Sequence, residues 1–284
     1  MKKITVFGAT GMLGKPVTVQ LVNSGYDVTA LVRDVEDARH ALPSGVTFVK
    51  GDLQNLAALR KAMDGADGIY ISVSNKNMNP RFNAEKHGID NILKVAKELD
   101  IGHVVFLSSF LARNYRGDWW VYCDKKGGID AVKQSGLAYT IFYASNFMEN
   151  FFHGMIMGRK VRILSHPIDN KSYWIAAADY AKLVAAAFRS DVSLNKEYAA
   201  QGPQAFTMRE AAEEFARNYG KRQLTIGSTP FKIIRLLGYL IPSIGVVAKM
   251  AEVNIHNNET FEARETCDEL GASATTLAAF ASAA

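Results

Sequence analysis

Through the first half of the chain, short runs of β-branched and aromatic residues alternate with stretches whose apolar positions recur every three or four residues. The runs at 4–7, 27–31, 47–50, 68–72 and 103–108 predict five strands, and 138–143 ("AYTIFY") a sixth. Between them the periodicity predicts helices from Gly11 to about Asn23, over 35–41, over 55–63 and over 81–99. In the last of these Ile89, Ile92, Leu93 and Ala96 share one face. "GGIDAVKQSG" reads as a helix end before a turn. Strand and helix in strict alternation predict βαβ units, and hence an α/β fold with a doubly wound parallel sheet.

After residue 146 the pattern changes. An aromatic and methionine-rich stretch, "NFMENFFHGMIMG", precedes a polar loop around "HPIDNKSYW". Helices are predicted over 176–188 and 207–220, the second opened by a capping box of Thr207 with Glu210 and stopped by Gly220. The apolar segment 231–250 contains Lys232, Arg235, Pro242 and Lys249, which makes it a poor membrane span. It reads as two short amphipathic helices broken near Pro242, with apolar faces for a pocket or a partner. The expected organisation is a first domain over 1–150, with helix 176–188 packing back on it, and a smaller, mainly helical substrate region over 151–284.

Composition narrows the function classes. With 284 residues, 48% hydrophobic and 21% charged, the chain can bury a real core, and a disordered class is excluded. The net charge of +5 is scattered, without the basic run of a nucleic-acid groove. Cys123 and Cys267 form no CxxC pair and the six histidines are isolated, so neither a disulfide framework nor a metal site is expected. The N-terminus enters a strand directly, without the apolar run of a signal peptide, and a cytoplasmic protein without membrane or nucleic-acid partners is expected.

The sharpest local signal is "FGATGMLGKP" at 7–16, with glycines at 8, 11 and 14 between a strand and a helix. A dinucleotide site needs that order, because a helix N-terminus offers free N–H groups and partial positive charge to a pyrophosphate. Gly8 would permit the turn, Gly11 the approach of phosphate to backbone, and Gly14 close packing of helix on strand. Thr10, Met12 and Leu13 complete the cofactor-facing loop. The spacing GxxGxxG is one residue longer in its first gap than GxGxxG. At the end of the second strand "LVRD" places Arg33, suited to the 2′-phosphate of NADP, with Lys15 adding charge; Asp34 leaves NAD as an alternative.

Taken together, "VFGATGMLGKP", "LVRD", "GDL" at 51–53, "VVFLSS" at 104–109, Lys126 with Asp130, "SGLAYTIF" at 135–142 and "NFMEN" at 146–150 resemble the NmrA-like branch of the atypical short-chain dehydrogenase/reductases. The resemblance spans most of the chain and fades after about residue 225. It implies a Rossmann domain with a smaller C-terminal substrate region, Asp52 and Leu53 near adenine, and "ISVS" at 71–74, with Val73 and Ser74, along the cofactor. It also implies Asn146 and Phe147 at the nicotinamide end and Lys126 against the nicotinamide ribose. Where many members carry Arg-Pro after the "YTI" strand, this chain has Tyr143 and Ala144, which implies a more aromatic pocket and a different substrate class.

Reduction of a carbonyl needs a proton donor, and a tyrosine serves when an ammonium lowers its pKa. Tyr122 and Lys126 stand at i and i+4, and Ser109 precedes Tyr122 by thirteen residues, a spacing similar to that of short-chain reductases. Packing of Tyr122 among Tyr115, Trp119 and Trp120, and pairing of Lys126 with Asp130, are the structural alternatives; Lys125 is the substitute if the helix register differs by one. Phe147, Met148, Phe151, Phe152, Met155 and Met157 read first as core packing and second as an apolar lid.

The expected activity is NADPH-dependent reduction of a small apolar or aromatic carbonyl, quinone or enone, by a monomer or homodimer. The alternative is a non-catalytic redox sensor that passes its NAD(P) state to a protein partner. A sugar-nucleotide epimerase or dehydratase would need a more polar stretch than 147–157.

Overall fold

The computed structural model describes residues 2–75, 81–165, 170–254 and 258–284. The loop predicted around 166–174 lies partly outside them. In chain order the strands are β1 (Lys3–Phe7), β2 (Asp27–Val32), β3 (Val46–Lys50), β4 (Gly68–Ile71), β5 (His103–Ser109), β6 (Tyr139–Ala144), β7 (Ile156–Met157), β8 (Lys160–Ser165), β9 (Ser172–Tyr173), β10 (Lys196–Ala200), β11 (Ala205–Phe206) and β12 (Thr225–Pro230). The α-helices are α1 (Gly14–Asn23), α2 (Val35–Ala41), α3 (Leu56–Met63), α4 (Ile89–Glu98), α5 (Trp120–Gln134), α6 (Ala177–Arg189), α7 (Met208–Asn218), α8 (Phe231–Gly238), α9 (Pro242–Asn254), α10 (Arg264–Leu270) and α11 (Leu277–Ala283). A single π-helical turn, Ala84–Gly88, precedes α4 inside the predicted 81–99 helix.

The chain forms two compact units. The first comprises residues 1–144, 177–200 and 265–272, the second 145–176, 201–264 and 273–284. In the first unit seven strands pair in the order β10-β6-β5-β4-β1-β2-β3. All six pairings are parallel. Parallel strands covered on both faces read as continuous apolar runs rather than alternating ones, and Ile4, Val6, Val28, Ala30, Ile69, Ile71, Val104 and Ile141 are fully buried accordingly. Helix α6 is held against this unit by polar ties: Lys2 Nζ donates to Phe188 O (2.9 Å) and Tyr26 Oη to Ala185 O (3.0 Å). His103 packs edge-on to Phe188, and its ring Nε2 lies 2.8 Å from Thr140 Oγ1, whose proton goes to Ser193 O. His103 therefore donates to Thr140 as a neutral ring, and burial together with the Lys2 ammonium lowers its pKa to about 4.

The edge strand β10 was not predicted; "KEYAA" carries too little β-branched character to stand out. Its outer side is covered by α10: Thr266 Oγ1 donates to Ala199 O (2.8 Å), and Tyr198 Oη and Lys196 Nζ reach Glu269. A covered edge is one that cannot template another chain.

The second unit is more β-rich than its sequence pattern predicts. Strand β8 lies between β7 and β12, and β9 pairs with β11. Its core gathers Met148, Phe151, Val161, Trp174, Phe215 and Leu277. Phe151 stacks on Phe215 at 4.2 Å between ring centroids and on Trp174 at 5.2 Å. The capping box of Thr207 and Glu210 opens α7 with both hydrogen bonds made. The helix ends at Asn218, and Gly220 has no left-handed backbone conformation, so glycine geometry is not what stops it. Pro242 opens α9 rather than ending α8, since the first helical position has no use for a backbone N–H.

Candidate functional site

The first unit reverses its winding between β1 and β4: the chain builds β1, β2 and β3 outward, then returns to lay β4 on the other side of β1. In open α/β sheets ligands bind beyond the carboxyl ends of the strands at such a point. The glycine loop lies there. Phe7 O accepts from Ser72 N (3.0 Å), which draws the exits of β1 and β4 together. Gly8 sits at φ +90°, and a Cβ there would come 2.1 Å from Ser72 O. A Cβ on Gly14 would meet Gly8 O at 2.0 Å, so α1 rests directly on the turn. Gly11 differs: its nearest neighbour to a Cβ is Gly8 O at 3.1 Å, the residue is exposed, and Gly11 N already donates to Gly8 O (3.0 Å). The N-terminus of α1 has no side-chain cap and no acidic residue in its first turn, which leaves donors and dipole for an anion. Thr10 is exposed, Met12 and Leu13 half-buried, and Lys15 exposed.

Arg33 and Asp34 follow β2 and are both exposed. Asp34 is the N-cap of α2, one carboxylate oxygen accepting from Asp37 N (3.0 Å). Asp52 closes a turn by accepting from Gln54 N (2.9 Å) and Asn55 N (3.2 Å). Leu53 is held by Asn91 Nδ2 donating to its carbonyl (2.9 Å) and packs so close to Gly88 that a Cβ there would meet Leu53 Cδ1 at 2.7 Å. Val73 is half-buried and Ser74 exposed after β4.

Of the three residues proposed for proton chemistry, the structure brings two together. Ser109, at the end of β5, stands close enough to the Tyr122 phenol to lower its pKa, while Tyr115 and Trp119 pack on the same ring at 5.1 and 5.4 Å between centroids. Burial, then Tyr115, push the Tyr122 pKa up to about 12 against the lowering effect of Ser109. Lys126 does not act on it. Its ammonium is bound to Asp130 Oδ2 at 2.7 Å, both side chains nearly half exposed. The expectation that Lys126 depresses the phenol's pKa is thus not met, because the lysine extends along α5 to the following turn.

Lys125 is bound elsewhere too, to the buried Glu85 (2.5 Å). Around it stand Asn83, which donates to Asp124 (2.5 Å), and Asn75, which donates to Asn83 (2.6 Å) and accepts from Ala84 N (2.7 Å). No sequence motif marks this polar cluster. Tyr143 is buried under the Arg113 guanidinium, 5.5 Å from its ring centroid, and donates to Glu197 Oε2 (2.5 Å). Its ring is fully buried and its hydroxyl is committed to β10.

Asn146 and Phe147 belong to the second unit and are described within it. Asn146 O accepts from Ile175 N (2.9 Å) and Met148 N donates to Ile175 O (3.0 Å), with Phe147 buried between. Beside them the buried Glu259 accepts from Ser145 Oγ (2.7 Å) and Tyr173 N (3.2 Å), its carboxyl pKa raised by burial. No motif marks Glu259. Of the methionine and aromatic stretch, Met148 and Phe151 are core, whereas Phe152 and Met157 are 43% and 55% exposed.

Among the described residues no group of three or more His, Cys, Asp or Glu side chains is placed to hold a metal, and no helix is long and apolar enough to cross a membrane.

A parallel sheet with this strand order and a glycine loop at its switch point defines a Rossmann-type nucleotide-binding protein. The chain belongs to the NmrA-like family, whose sequence pattern matches residues 1–280. It is 27% identical over 221 residues to the (4-alkanoyl-5-oxo-2,5-dihydrofuran-3-yl)methyl phosphate reductase of Streptomyces griseus, covering 77% of this chain and 74% of that one. The Escherichia coli NADPH-dependent quinone oxidoreductase complexed with NADPH superposes with a TM-score of 0.77 at 22% identity, over 99% of each chain. The Citrobacter triphenylmethane reductase complexed with NADP(H) gives 0.79 at 18% identity, over 98% of each chain. Other curated relatives are matched over less of their length: the chain spans 12% of uncharacterized mycobacterial proteins and 51% of a Cyanophora paradoxa photosystem II assembly factor.

Proposed function

We propose that this chain is an NADPH-dependent oxidoreductase that reduces a small apolar or aromatic carbonyl, quinone or enone. The observation that carries the reading is the uncapped N-terminus of α1 over Gly8, Gly11 and Gly14, with Arg33 exposed at the end of β2. The residues present fit the cofactor. The loop from Gly8 to Gly14, with Thr10, Met12 and Leu13, would hold the pyrophosphate. Arg33 and Lys15 would answer the 2′-phosphate. Asp34 competes less for ribose hydroxyls because it already caps α2. Asp52 and Leu53 would border adenine, and Val73 and Ser74 the chain of the cofactor. The named activities of the E. coli quinone oxidoreductase and the S. griseus reductase support the substrate class.

NADPH, when bound, supplies hydride. The chain's own part is the proton: Tyr122, its pKa pushed up to about 12, keeps its hydroxyl protonated at neutral pH and can give it to the oxygen that gains charge, with Ser109 beside it lowering that pKa. Lys126 would serve the nicotinamide ribose. Its exposed pair with Asp130 is worth no more than about 1 kcal/mol, so exchange of Asp130 for ribose hydroxyls costs little.

The same pairing of Lys126 away from Tyr122 favours a second reading, a redox sensor that binds NAD(P) without turnover and acts through a protein partner. Titration with NADPH and NADH, followed by quinones and aldehydes at the nicotinamide absorbance, separates the two. Arg33→Ala should weaken NADPH more than NADH by about 10- to 150-fold, the value of a hydrogen-bonded charge contact. Equal weakening refutes the 2′-phosphate assignment, absence of binding by either cofactor refutes the site, and binding without turnover on any acceptor selects the sensor.

A further inference from the structure

Helices α8 and α9 form a hairpin with two apolar sides. On the inner side Phe231, Ile234 and Gly238 are half-buried at i, i+3 and i+7, and a Cβ on Gly238 would meet Gly245 Cα at 2.9 Å, so the two backbones nearly touch. The outer side has no such partner. Ile233, Leu236 and Leu237 recur at i, i+3 and i+4 and are 49, 66 and 37% exposed, and Leu240 continues the row at 78%. Val246, Val247 and Met250 of α9 are 39, 49 and 44% exposed, and Tyr239 at the bend is 82% exposed. An apolar patch this continuous marks an interaction surface.

Charge identifies what it meets. Residues 221–251 hold five basic side chains, Lys221, Arg222, Lys232, Arg235 and Lys249, and no acidic one. Lys232 and Arg235 are exposed on the face of α8 beside the outer apolar row. We infer that the hairpin seats in the interface of an anionic lipid membrane, its outer row at the acyl boundary and Lys232 and Arg235 against phosphate headgroups. A second copy of the chain fits less well. A two-fold interface would bring two copies of this basic patch together, and Glu252, the next acidic residue along the chain, is already paired with Lys249 (3.2 Å). The helices have 8 and 13 residues, roughly 12 and 20 Å at 1.5 Å per residue, too short to cross ~30 Å of hydrocarbon. The hairpin lies on the membrane and does not span it.

The test is co-sedimentation of the full chain with vesicles of phosphatidylcholine containing about one third phosphatidylglycerol, against phosphatidylcholine alone. Wild type should pellet with the anionic vesicles and at least tenfold less with neutral ones. Lys232→Glu with Arg235→Glu should lose the preference, and Leu236→Ser with Leu240→Ser the binding, each melting with wild type because these positions are exposed. Tyr239→Trp provides a readout without loss of apolar surface: quenching of its added fluorescence by brominated lipid places the bend in the bilayer. The inference is overturned if wild type stays in solution with anionic vesicles, pellets equally with both, or leaves Tyr239→Trp unquenched. It is also overturned if sedimentation velocity shows a dimer that Leu236→Ser with Leu240→Ser dissociates, which assigns the face to a second copy. None of these readouts depends on NADPH.

Discussion

Two glycines of one loop should respond oppositely to the same methyl group. In Gly14→Ala the new Cβ lies 2.0 Å from Gly8 O, 2.8 Å from Gly8 C and 3.2 Å from Ala9 Cα, all backbone atoms. An unstrained carbon–oxygen contact needs ~3.3 Å, so α1 must retreat from β1 by about 1 Å. Forced overpacking costs ~1–3 kcal/mol, and the helix propensity of alanine over glycine returns up to ~1. A contact this short belongs at the upper end of that range, so the net loss is about 2 kcal/mol, which at ~2–4 °C per kcal/mol lowers Tm by roughly 4–8 °C without any ligand. In Gly11→Ala the nearest atom stands at 3.1 Å and the backbone lies outside the left-handed region, so the Tm should move by less than ~2 °C. On the proposed reading its methyl group would stand where a phosphate approaches the backbone, and NADPH affinity should fall at least tenfold, about 1.4 kcal/mol. Thermal melts followed by circular dichroism and NADPH titrations by fluorescence measure both. If Gly14→Ala melts with wild type, the packing argument is wrong; if Gly11→Ala binds NADPH normally, the phosphate is not where the loop implies.

Tyr122→Phe should leave NADPH affinity unchanged and lower kcat by about 10²- to 10⁴-fold, and the wild-type rate should show no ionisation of this phenol up to about pH 10, because its pKa is raised to about 12. An unchanged kcat would remove Tyr122 from the chemistry. For His103, a folded pKa of about 4 against 6.5 means the unfolded chain binds more protons between those values. Its contribution is complete above pH 6.5 and is lost as pH falls toward 4, up to about 3 kcal/mol at 1.36 per unit. Urea unfolding at pH 7 and pH 5 should show this slope in wild type and a flatter one in His103→Gln; equal slopes would contradict a neutral buried ring.

The parallel sheet was legible in the sequence because its signals are local. Strands β1 to β6 are apolar runs of four to seven residues. Asn55 caps α3 as the expected 55–63 helix requires, accepting from Ala58 N. β8 and β12 escaped because their pairing joins Lys160 to Thr225 and places Gly227 and Pro230 in a strand, a choice made by tertiary contact against local preference. In the candidate site the same distinction holds. Glycine spacing and the Ser109 to Tyr122 interval could be read from the chain. The partner chosen by Lys126 could not, since Tyr122 and Asp130 are equally spaced from it along α5. Buried Glu85 and Glu259 were invisible, because a carboxylate's burial depends on which distant donors reach it.

The division of the chain has a consequence for its synthesis and for engineering. The polypeptide passes between the two units five times, at 144/145, 176/177, 200/201, 264/265 and 272/273. Strand β10 completes the sheet beside β6, so on the ribosome β6 waits, with one edge bare, until some fifty further residues have emerged. The α10 segment that covers β10 comes later still. Truncation after residue 150 would fix that waiting state permanently, as an aggregation-prone six-stranded sheet. The nucleotide-binding unit is therefore not a cassette at the N-terminus; recombination with relatives would have to exchange three separate segments together.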